Sequence, residues 1–139
     1  MTKAEILDYV KANPNCYVAT VEGDKPHVRC FTLYKVDDKG ILLQTWKIKD
    51  IHPQLQKNPN VEICFRDSVG GRQLRISGQA ELDESMDLKK QVVADREFMK
   101  KTVDAKGWDV VAMYRIKNAR AFWWTGKTNF DPKTYTDLF

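Results

Sequence analysis

The chain has 139 residues, of which 42% are hydrophobic and 30% charged, a balance typical of one globular domain over 1–139 and not of disordered or fibrous proteins. No apolar run approaches the twenty or so residues that cross a bilayer, and no secretion signal is visible, so we expect a cytoplasmic protein. The net charge of +4 favours anionic partners but is too small to demand nucleic acid.

The first third of the chain predicts a helix followed by strands. Thr2 and Glu5 have the spacing of a capping box, and Pro14 ends the helix that follows. Three runs of β character, separated by turn sequences, then predict a three-stranded meander. These runs are residues 16–22, 27–36 and 41–46.

The middle of the chain alternates between helical and β signals. Residues 47–58 predict a short helix that tolerates Pro53 in its first turn, and residues 61–65 alternate as a strand. A turn at Gly70 and Gly71 leads into a long strand, in which Gly78 indicates a bulge or a close backbone approach. Residues 83–101 read as one substantial amphipathic helix that covers the sheet.

Two further strands are predicted near the end, over residues 110–116 and 119–125. Many strands joined by short turns, without regular strand and helix alternation, favour a mainly β (α+β) fold built as an antiparallel barrel. One amphipathic helix and short terminal and linking helices complete it. The three cysteines, Cys16, Cys30 and Cys64, form no C-x-x-C pair and lie in these strand-like runs, so we expect reduced core residues.

Metal and nucleophile chemistry find little support in the sequence. Only two histidines are present, without the spacing of a zinc site, so we expect no metal. His27 and Cys30 are three residues apart on one strand and should face opposite sides of the sheet. No serine lies in a nucleophile elbow, and no catalytic residue is singled out.

An anion site is the stronger candidate. Lys47 and Lys49 follow Thr45 where a strand gives way to a turn and a helix start, and such a place offers cations, a hydroxyl and free backbone donors to a phosphate. A simpler interpretation is that these lysines lie in a solvent-exposed turn and bind no ligand. Arg29 lies within an apolar strand, where the side chain of an arginine either reaches solvent or binds an anion or a carbonyl oxygen.

Tryptophans are candidates for stacking on a planar ligand, although tryptophan in a small barrel is more often part of the core. Trp46 lies beside the candidate anion site. Trp123 and Trp124 are neighbours on a strand and should face opposite ways, so only one of them can line a given pocket.

The order of motifs along nearly the whole chain resembles the pyridoxamine 5'-phosphate oxidase-like superfamily of FMN-binding split barrels, in particular its short branch. The resemblance depends on the joint order and spacing of several segments. They are YVATV at 17–21, HVRCF at 27–31, LQT at 43–45, KDIHPQL at 49–55, NPNVEIC at 58–64, LRISG at 74–78 and KNA at 117–119.

The resemblance implies an antiparallel split β-barrel that forms a homodimer with FMN at the interface. Arg29 would face the flavin ring or its ribityl chain, Thr45 and Lys49 would hold the phosphate, and Gln54 and Gln73 would reach the cofactor. The full set expected at the cofactor is Arg29, Cys30, Phe31, Thr45, Trp46, Lys49, Gln54, Gln73 and Trp123. A cation near the ring would stabilise the anionic reduced flavin.

Some features depart from the family pattern. The C-terminal Arg-x-His substrate element of the oxidase has no counterpart at 133–139, which makes vitamin B6 oxidation doubtful. Tyr34 stands where the oxidase has a lysine, and the loop from Thr45 to Lys49 looks one residue shorter.

The leading hypothesis is an FMN-dependent oxidoreductase that acts on an unidentified small molecule. A non-catalytic flavin carrier in the same fold is the first alternative. A nucleic-acid-binding barrel is less favoured, since the cations and aromatics around Arg29 also describe an ordinary half-buried strand. Relatives of this barrel also accommodate deazaflavin or haem, and a single anion site suits a monophosphate such as FMN best.

Overall fold

The computed structural model describes residues 1–139 as eight strands and four α-helices. The helices are α1 Lys3–Ala12, α2 Ile51–Lys57, α3 Met86–Asp95 and α4 Lys100–Lys106. The strands are β1 Asn15–Glu22, β2 Lys25–Thr32, β3 Lys35–Asp37, β4 Gly40–Trp46, β5 Asn60–Arg66, β6 Gln73–Asp83, β7 Val111–Trp124 and β8 Thr136–Asp137. None of the helices has the length and apolar character that crossing a membrane requires.

Helix α1 begins and ends where the sequence predicts. The Thr2 hydroxyl accepts a hydrogen bond from the Glu5 amide, and the Glu5 carboxylate accepts one from the Thr2 amide at 2.7 Å, so the capping box is formed. Ile6 and Val10 lie on one face of the helix and are 1% exposed. This face packs α1 onto the main core of the sheet.

All pairings in the sheet are antiparallel, in the order β2-β1-β5-β6-β7-β4-β3, with β8 added to β7. The open, barrel-like sheet confirms the predicted mainly β split barrel. The predicted three-stranded meander is wrong, because the run 27–36 divides at Leu33 and Tyr34. Its first part pairs with β1 and its second with β4. The sequence shows most of the segments that form strands, but not which distant strand pairs with each of them.

Strand β6 contains a bulge opposite the middle of β7. The register of β6 on β7 shifts between Ser77 and Gln79, which confirms the bulge predicted at Gly78. The backbone also approaches closely there, since a Cβ on Gly78 would lie 2.9 Å from the Lys117 carbonyl oxygen. Asn118 has a φ of 48°. The two strands predicted at the C-terminal end are therefore one strand, β7.

The two faces of β4 and β7 support two separate cores. The larger core holds inward residues of β1, β5, β6 and β7, together with α1 and α2. The smaller core holds Val92, Met99, Val103, Val111 and Met113 beneath α3 and α4. The single helix predicted over 83–101 is wrong: α3 ends at Asp95, and a single 3-10 turn over Glu97–Met99 leads into α4. The expectation that this segment covers the sheet is confirmed.

The three cysteines are free, but they are not all core residues. Cys16 is 4% exposed, whereas Cys64 is half-buried and Cys30 is exposed. Cys30 pairs with Tyr17, which pairs with Cys64, so both thiols lie in one row on the outer face of the sheet. The expectation of three core cysteines is therefore wrong for Cys30, because apolar character does not reveal which face of a strand is covered.

Candidate functional site

Arg29 reaches from β2 across β1 to helix α2. Its Nη1 donates to the Thr20 hydroxyl at 2.7 Å and to the Val18 carbonyl oxygen at 3.4 Å, and its Nη2 donates to Gln54 Oε1 at 2.8 Å. The Thr20 hydroxyl donates to the same Gln54 oxygen at 2.6 Å. Arg29, Thr20 and Gln54 thus form a closed hydrogen-bonded triad that ties two strands to a helix.

Two members of the triad are buried, and Arg29 is partly buried. Thr20 is 1% and Gln54 3% exposed, and burial lowers the pKa of the Arg29 guanidinium, an effect that the nearby carboxylate of Asp50 opposes. The guanidinium has five N–H groups, of which three are used in the triad and on Val18. Nε and one hydrogen of Nη2 remain for an additional acceptor.

The loop between β4 and α2 presents one free lysine and one engaged lysine. Lys47 Nζ lies 2.7 Å from Glu84 Oε2, and Lys89, buried with 3% of its side chain exposed, lies 3.5 Å from the other Glu84 oxygen. The hydrogen bond from Lys47 lowers the pKa of Glu84. Lys49 is exposed and takes part in no ion pair. Of the two lysines that the sequence brings forward, Lys49 alone has an uncommitted charge.

Thr45 and Trp46 end strand β4 just before this loop. Thr45 is 3% exposed and pairs with Ala112, on the face that belongs to the main core. Trp46 packs on the smaller core, and its carbonyl oxygen accepts a hydrogen bond from the Lys49 amide at 3.0 Å. The indole of Trp46 is therefore engaged in packing, while its backbone closes the turn that carries Lys49.

A second polar cluster lies on the same helix. The Tyr114 hydroxyl is 2.6 Å from His52 Nδ1 and accepts a hydrogen bond from Gln56 Nε2 at 2.9 Å. Burial and the positive charge of Lys47 lower the pKa of His52, which favours the neutral form of its ring. The Tyr114 hydroxyl thus lies between the side-chain amide of Gln56 and the ring of His52 and joins β7 to helix α2.

Arg29, Cys30 and Phe31 alternate across β2, as successive strand residues do. Phe31 packs against the main core on the side of Arg29, whereas Cys30 lies on the outer face. His27 is three residues from Cys30 and on the opposite face, as expected. Strand β2 is at the edge of the sheet, so one row of its backbone N–H and C=O groups has no partner strand.

Gln73 and Trp123 lie apart from this region. They are on β6 and β7, three and four strands away from β2, which is roughly 14 and 19 Å along the sheet. Gln73 also lies on the outer face, since its neighbour Leu74 is fully buried. The ring of Trp123 contacts Tyr9 edge-on at 4.8 Å, with the Arg72 guanidinium above it at 4.8 Å.

Of the predicted set, Arg29 and Gln54 are in direct contact, and Thr45 and Lys49 lie at the end of β4 and in the turn that leads into the helix of Gln54. We call these four residues, with the β2 edge beside Arg29, the cationic corner. Thr20 belongs to the corner and was missed by the sequence analysis. The signal was present, because Cys16, Val18 and Thr20 alternate on the buried face of β1 and a hydroxyl at such a position needs a partner. Tyr34 does not face the corner, since its hydroxyl donates to Asp95 at 2.5 Å.

Comparisons with known sequences and structures show what this chain is similar to. General stress protein 26 of Bacillus subtilis is 27% identical over 95 residues, which are 65% of this chain and 66% of that protein. A NimC/NimA family protein of Clostridium acetobutylicum has a similar fold with a TM-score of 0.77 at 21% identity, covering 98% of this chain and 92% of that one.

A heme-binding protein of Mycobacterium smegmatis also shares the fold, with a TM-score of 0.70 at 17% identity, covering 99% of this chain and 59% of that chain. The model of the family described as pyridoxamine 5'-phosphate oxidase matches residues 2–125. The matched region contains the cationic corner, the smaller core, all of the main core but its C-terminal residues, and all strands but β8. The chain therefore belongs to the pyridoxamine 5'-phosphate oxidase family.

Proposed function

We propose that this protein binds FMN and acts as a flavin-dependent oxidoreductase on a small molecule. The observation that carries the proposal is the cationic corner, in which the unpaired ammonium of Lys49 and the spare N–H groups of Arg29 lie beside an open strand edge. A phosphate monoester needs fixed positive charge, and a planar ring with acceptor atoms suits the free backbone donors of β2.

The donor set fits FMN. Lys49 and Thr45 would hold the phosphate, and Arg29, fixed in place by Thr20 and Gln54, would hold the ribityl chain or the ring. Bound flavin would supply the redox chemistry. The contribution of this chain is to orient the cofactor and to keep a positive charge near it.

We propose further that two copies of the chain complete the site. Gln73 lies on the outer face and Arg29 on the inner one, so a single cofactor reaches both only if they come from two chains. Trp123 lies on the inner face like Arg29 but four strands from β2, so we expect it too to reach the cofactor from the second chain. The outer face exposes apolar side chains suited to such a contact, because Tyr17 is 47% and Val28 69% exposed.

Titration with FMN tests the corner. Lys49→Ala and Arg29→Ala should each weaken FMN binding at least tenfold, since a hydrogen bond to a charged group contributes about 1.5–3 kcal/mol. Lys57→Ala, at the exposed C-terminal end of helix α2, should leave the affinity unchanged and is the matched control. Quenching of flavin fluorescence measures all four proteins, and equal affinities would refute the assignment.

Purified protein tests the cofactor class and the assembly. We expect flavin absorption bands and FMN in the mass spectrum of the released ligand; a haem spectrum or a deazaflavin would contradict the proposal.

Val28→Arg should give a monomer that retains FMN poorly, whereas Phe98→Arg, another exposed apolar position at 70%, should not. Light scattering gives the mass of each. Turnover of reduced nicotinamide separates an enzyme from a flavin carrier, which should show none.

A further inference from the structure

Helix α2 carries a histidine whose ring is anchored at one nitrogen and free at the other. The hydroxyl of Tyr114, a fully buried residue, lies 2.6 Å from His52 Nδ1, so this contact fixes the orientation of the ring. The other ring nitrogen, Nε2, makes no hydrogen bond within the chain, and His52 is only half-buried. An oriented ring with one accessible nitrogen can bind a ligand or carry a proton.

The free nitrogen of His52 belongs to the same turn as the phosphate-binding part of the cationic corner. The His52 amide donates to the Lys49 carbonyl oxygen at 3.2 Å, and residues three apart in such a turn have Cβ atoms about 5–6 Å apart. In the register of β4 on β7, Thr45 and Tyr114 are two positions apart and share a face. Thr45, Lys49 and His52 therefore surround one place at the start of α2.

The groups that face the His52 ring come from three other parts of the chain. They are Lys47 in the preceding loop, Glu84 after β6 and the Tyr114 hydroxyl on β7. Burial and the charge of Lys47 lower the pKa of His52, and Glu84 opposes this effect. Both Glu84 oxygens are engaged, by Lys47 at 2.7 Å and by Lys89 at 3.5 Å. The ring of His52 therefore favours its neutral form in the free chain.

We propose that His52 is a further ligand of the FMN phosphate and takes up a proton when FMN binds. The inference rests on the proposed function. The proton comes from solvent and adds to the ring, so both ring nitrogens become donors. Nε2 then donates to a phosphate oxygen, and Nδ1 donates to the Tyr114 oxygen. The charged ring is stabilised by the two negative charges of the phosphate, beside Lys49.

Two properties separate this role from a structural one. Riboflavin lacks the phosphate, so His52 should contribute to the affinity for FMN and not to the affinity for riboflavin. The second pKa of a phosphate monoester is about 6, so above about pH 6.5 the phosphate of FMN stays mainly doubly charged. Lys49 also keeps its charge in this range. A gain in FMN affinity as the pH falls from about 8 to about 6.5 then reports on His52.

Calorimetry in two buffers of different ionisation heat counts the protons taken up when FMN binds. At about pH 7.5 the wild type should take up a proton in part or in full, and His52→Gln should take up none. The variant should bind FMN at least about fivefold more weakly at pH 6.5 and riboflavin equally well, since only a charge-assisted hydrogen bond to the phosphate is lost. The chain has two histidines, so His27→Gln is the matched control and should keep the proton uptake.

Nuclear magnetic resonance adds a direct measure, because the midpoint of the His52 titration should rise when FMN is bound. FMN binding without proton uptake, uptake that persists in His52→Gln, or equal losses of FMN and riboflavin affinity in that variant would overturn this inference and leave flavin binding intact. Equal effects of the two histidine variants would overturn it as well. A wild type that does not bind FMN would overturn the proposed function together with this inference.

Discussion

The substitution Gln54→Leu probes the hydrogen-bonded triad directly. The side-chain oxygen of Gln54 accepts hydrogen bonds from Thr20 at 2.6 Å and from Arg29 at 2.8 Å, at a position that is 3% exposed. Leucine has a similar volume but no acceptor. The hydroxyl of Thr20, 1% exposed, would lose its acceptor, and Arg29 would lose one of its anchors.

The magnitude follows from these two losses. Leaving the buried Thr20 hydroxyl without an acceptor costs about 1–3 kcal/mol of unfolding free energy. Loss of the hydrogen bond to the charged Arg29 costs about 1.5–3 kcal/mol, but water replaces part of it because Arg29 is only partly buried. The apolar leucine side chain offsets about 1–2 kcal/mol by its own burial. We expect a net loss of about 2 kcal/mol, which for a domain of this size lowers Tm by about 6–10 °C.

Thermal unfolding followed by circular dichroism measures the loss, with Gln56→Leu as the matched control. Gln56 lies on the same helix and also makes a side-chain hydrogen bond, to Tyr114 at 2.9 Å, but it is exposed, so its replacement should cost less than about 1 kcal/mol. An unchanged Tm for Gln54→Leu, or equal shifts for both variants, would show that the triad does not stabilise the fold.

Other changes have equally definite outcomes. Gly78→Ala would bring a Cβ to 2.8 Å from Cγ2 of Ile116, and urea denaturation should show a loss of about 1–3 kcal/mol; wild-type stability would contradict this close packing. Glu84→Gln releases the charge of Lys47 beside the corner, so FMN should bind a few-fold more tightly at low salt, and weaker binding would place the anion elsewhere. His52 should titrate below its ordinary pKa of 6.5 by nuclear magnetic resonance. The unfolded chain then takes up the proton first as the pH falls, so stability should decline below about pH 6.5 in the wild type and less in His52→Gln.

Local features of the fold were predictable because short-range chemistry determines them. The capping box at Thr2, the bulge at Gly78 and the short helix around Pro53 each follow from a few adjacent residues. The pairing of β2 and β3 with different strands was not predictable in this way, since it is decided by contacts with β1 and β4 across the whole sheet. The break between α3 and α4 was also not predicted, because the helical spacing of apolar residues continues across it. There, Arg96 donates to the carbonyl oxygens of Thr32 and Leu33, a tertiary contact that favours leaving the helix.

The same distinction between local and long-range features applies to the candidate site. Arg29, Lys49 and Gln54 were expected from residue types and motif order, and the structure brings Arg29 and Gln54 into direct contact. The engagement of Lys47 by Glu84 spans 37 positions of sequence and leaves no local trace. Thr20 had a signal in the alternation of β1, but only the folded arrangement shows that its hydroxyl serves both partners.

Strand β7 has a consequence for how the chain acquires its structure. Its first half, from Val111 to Ile116, pairs with β4, and its residues from Met113 to Trp124 pair with β6. The strand therefore joins the two parts of the sheet. Neither β3 nor β4 has any other link to the remaining strands. During synthesis the two parts stay separate until this late segment leaves the ribosome, and closure then requires contacts between residues far apart in sequence. Such a topology is expected to fold slowly and to expose unpaired strand edges for much of that time.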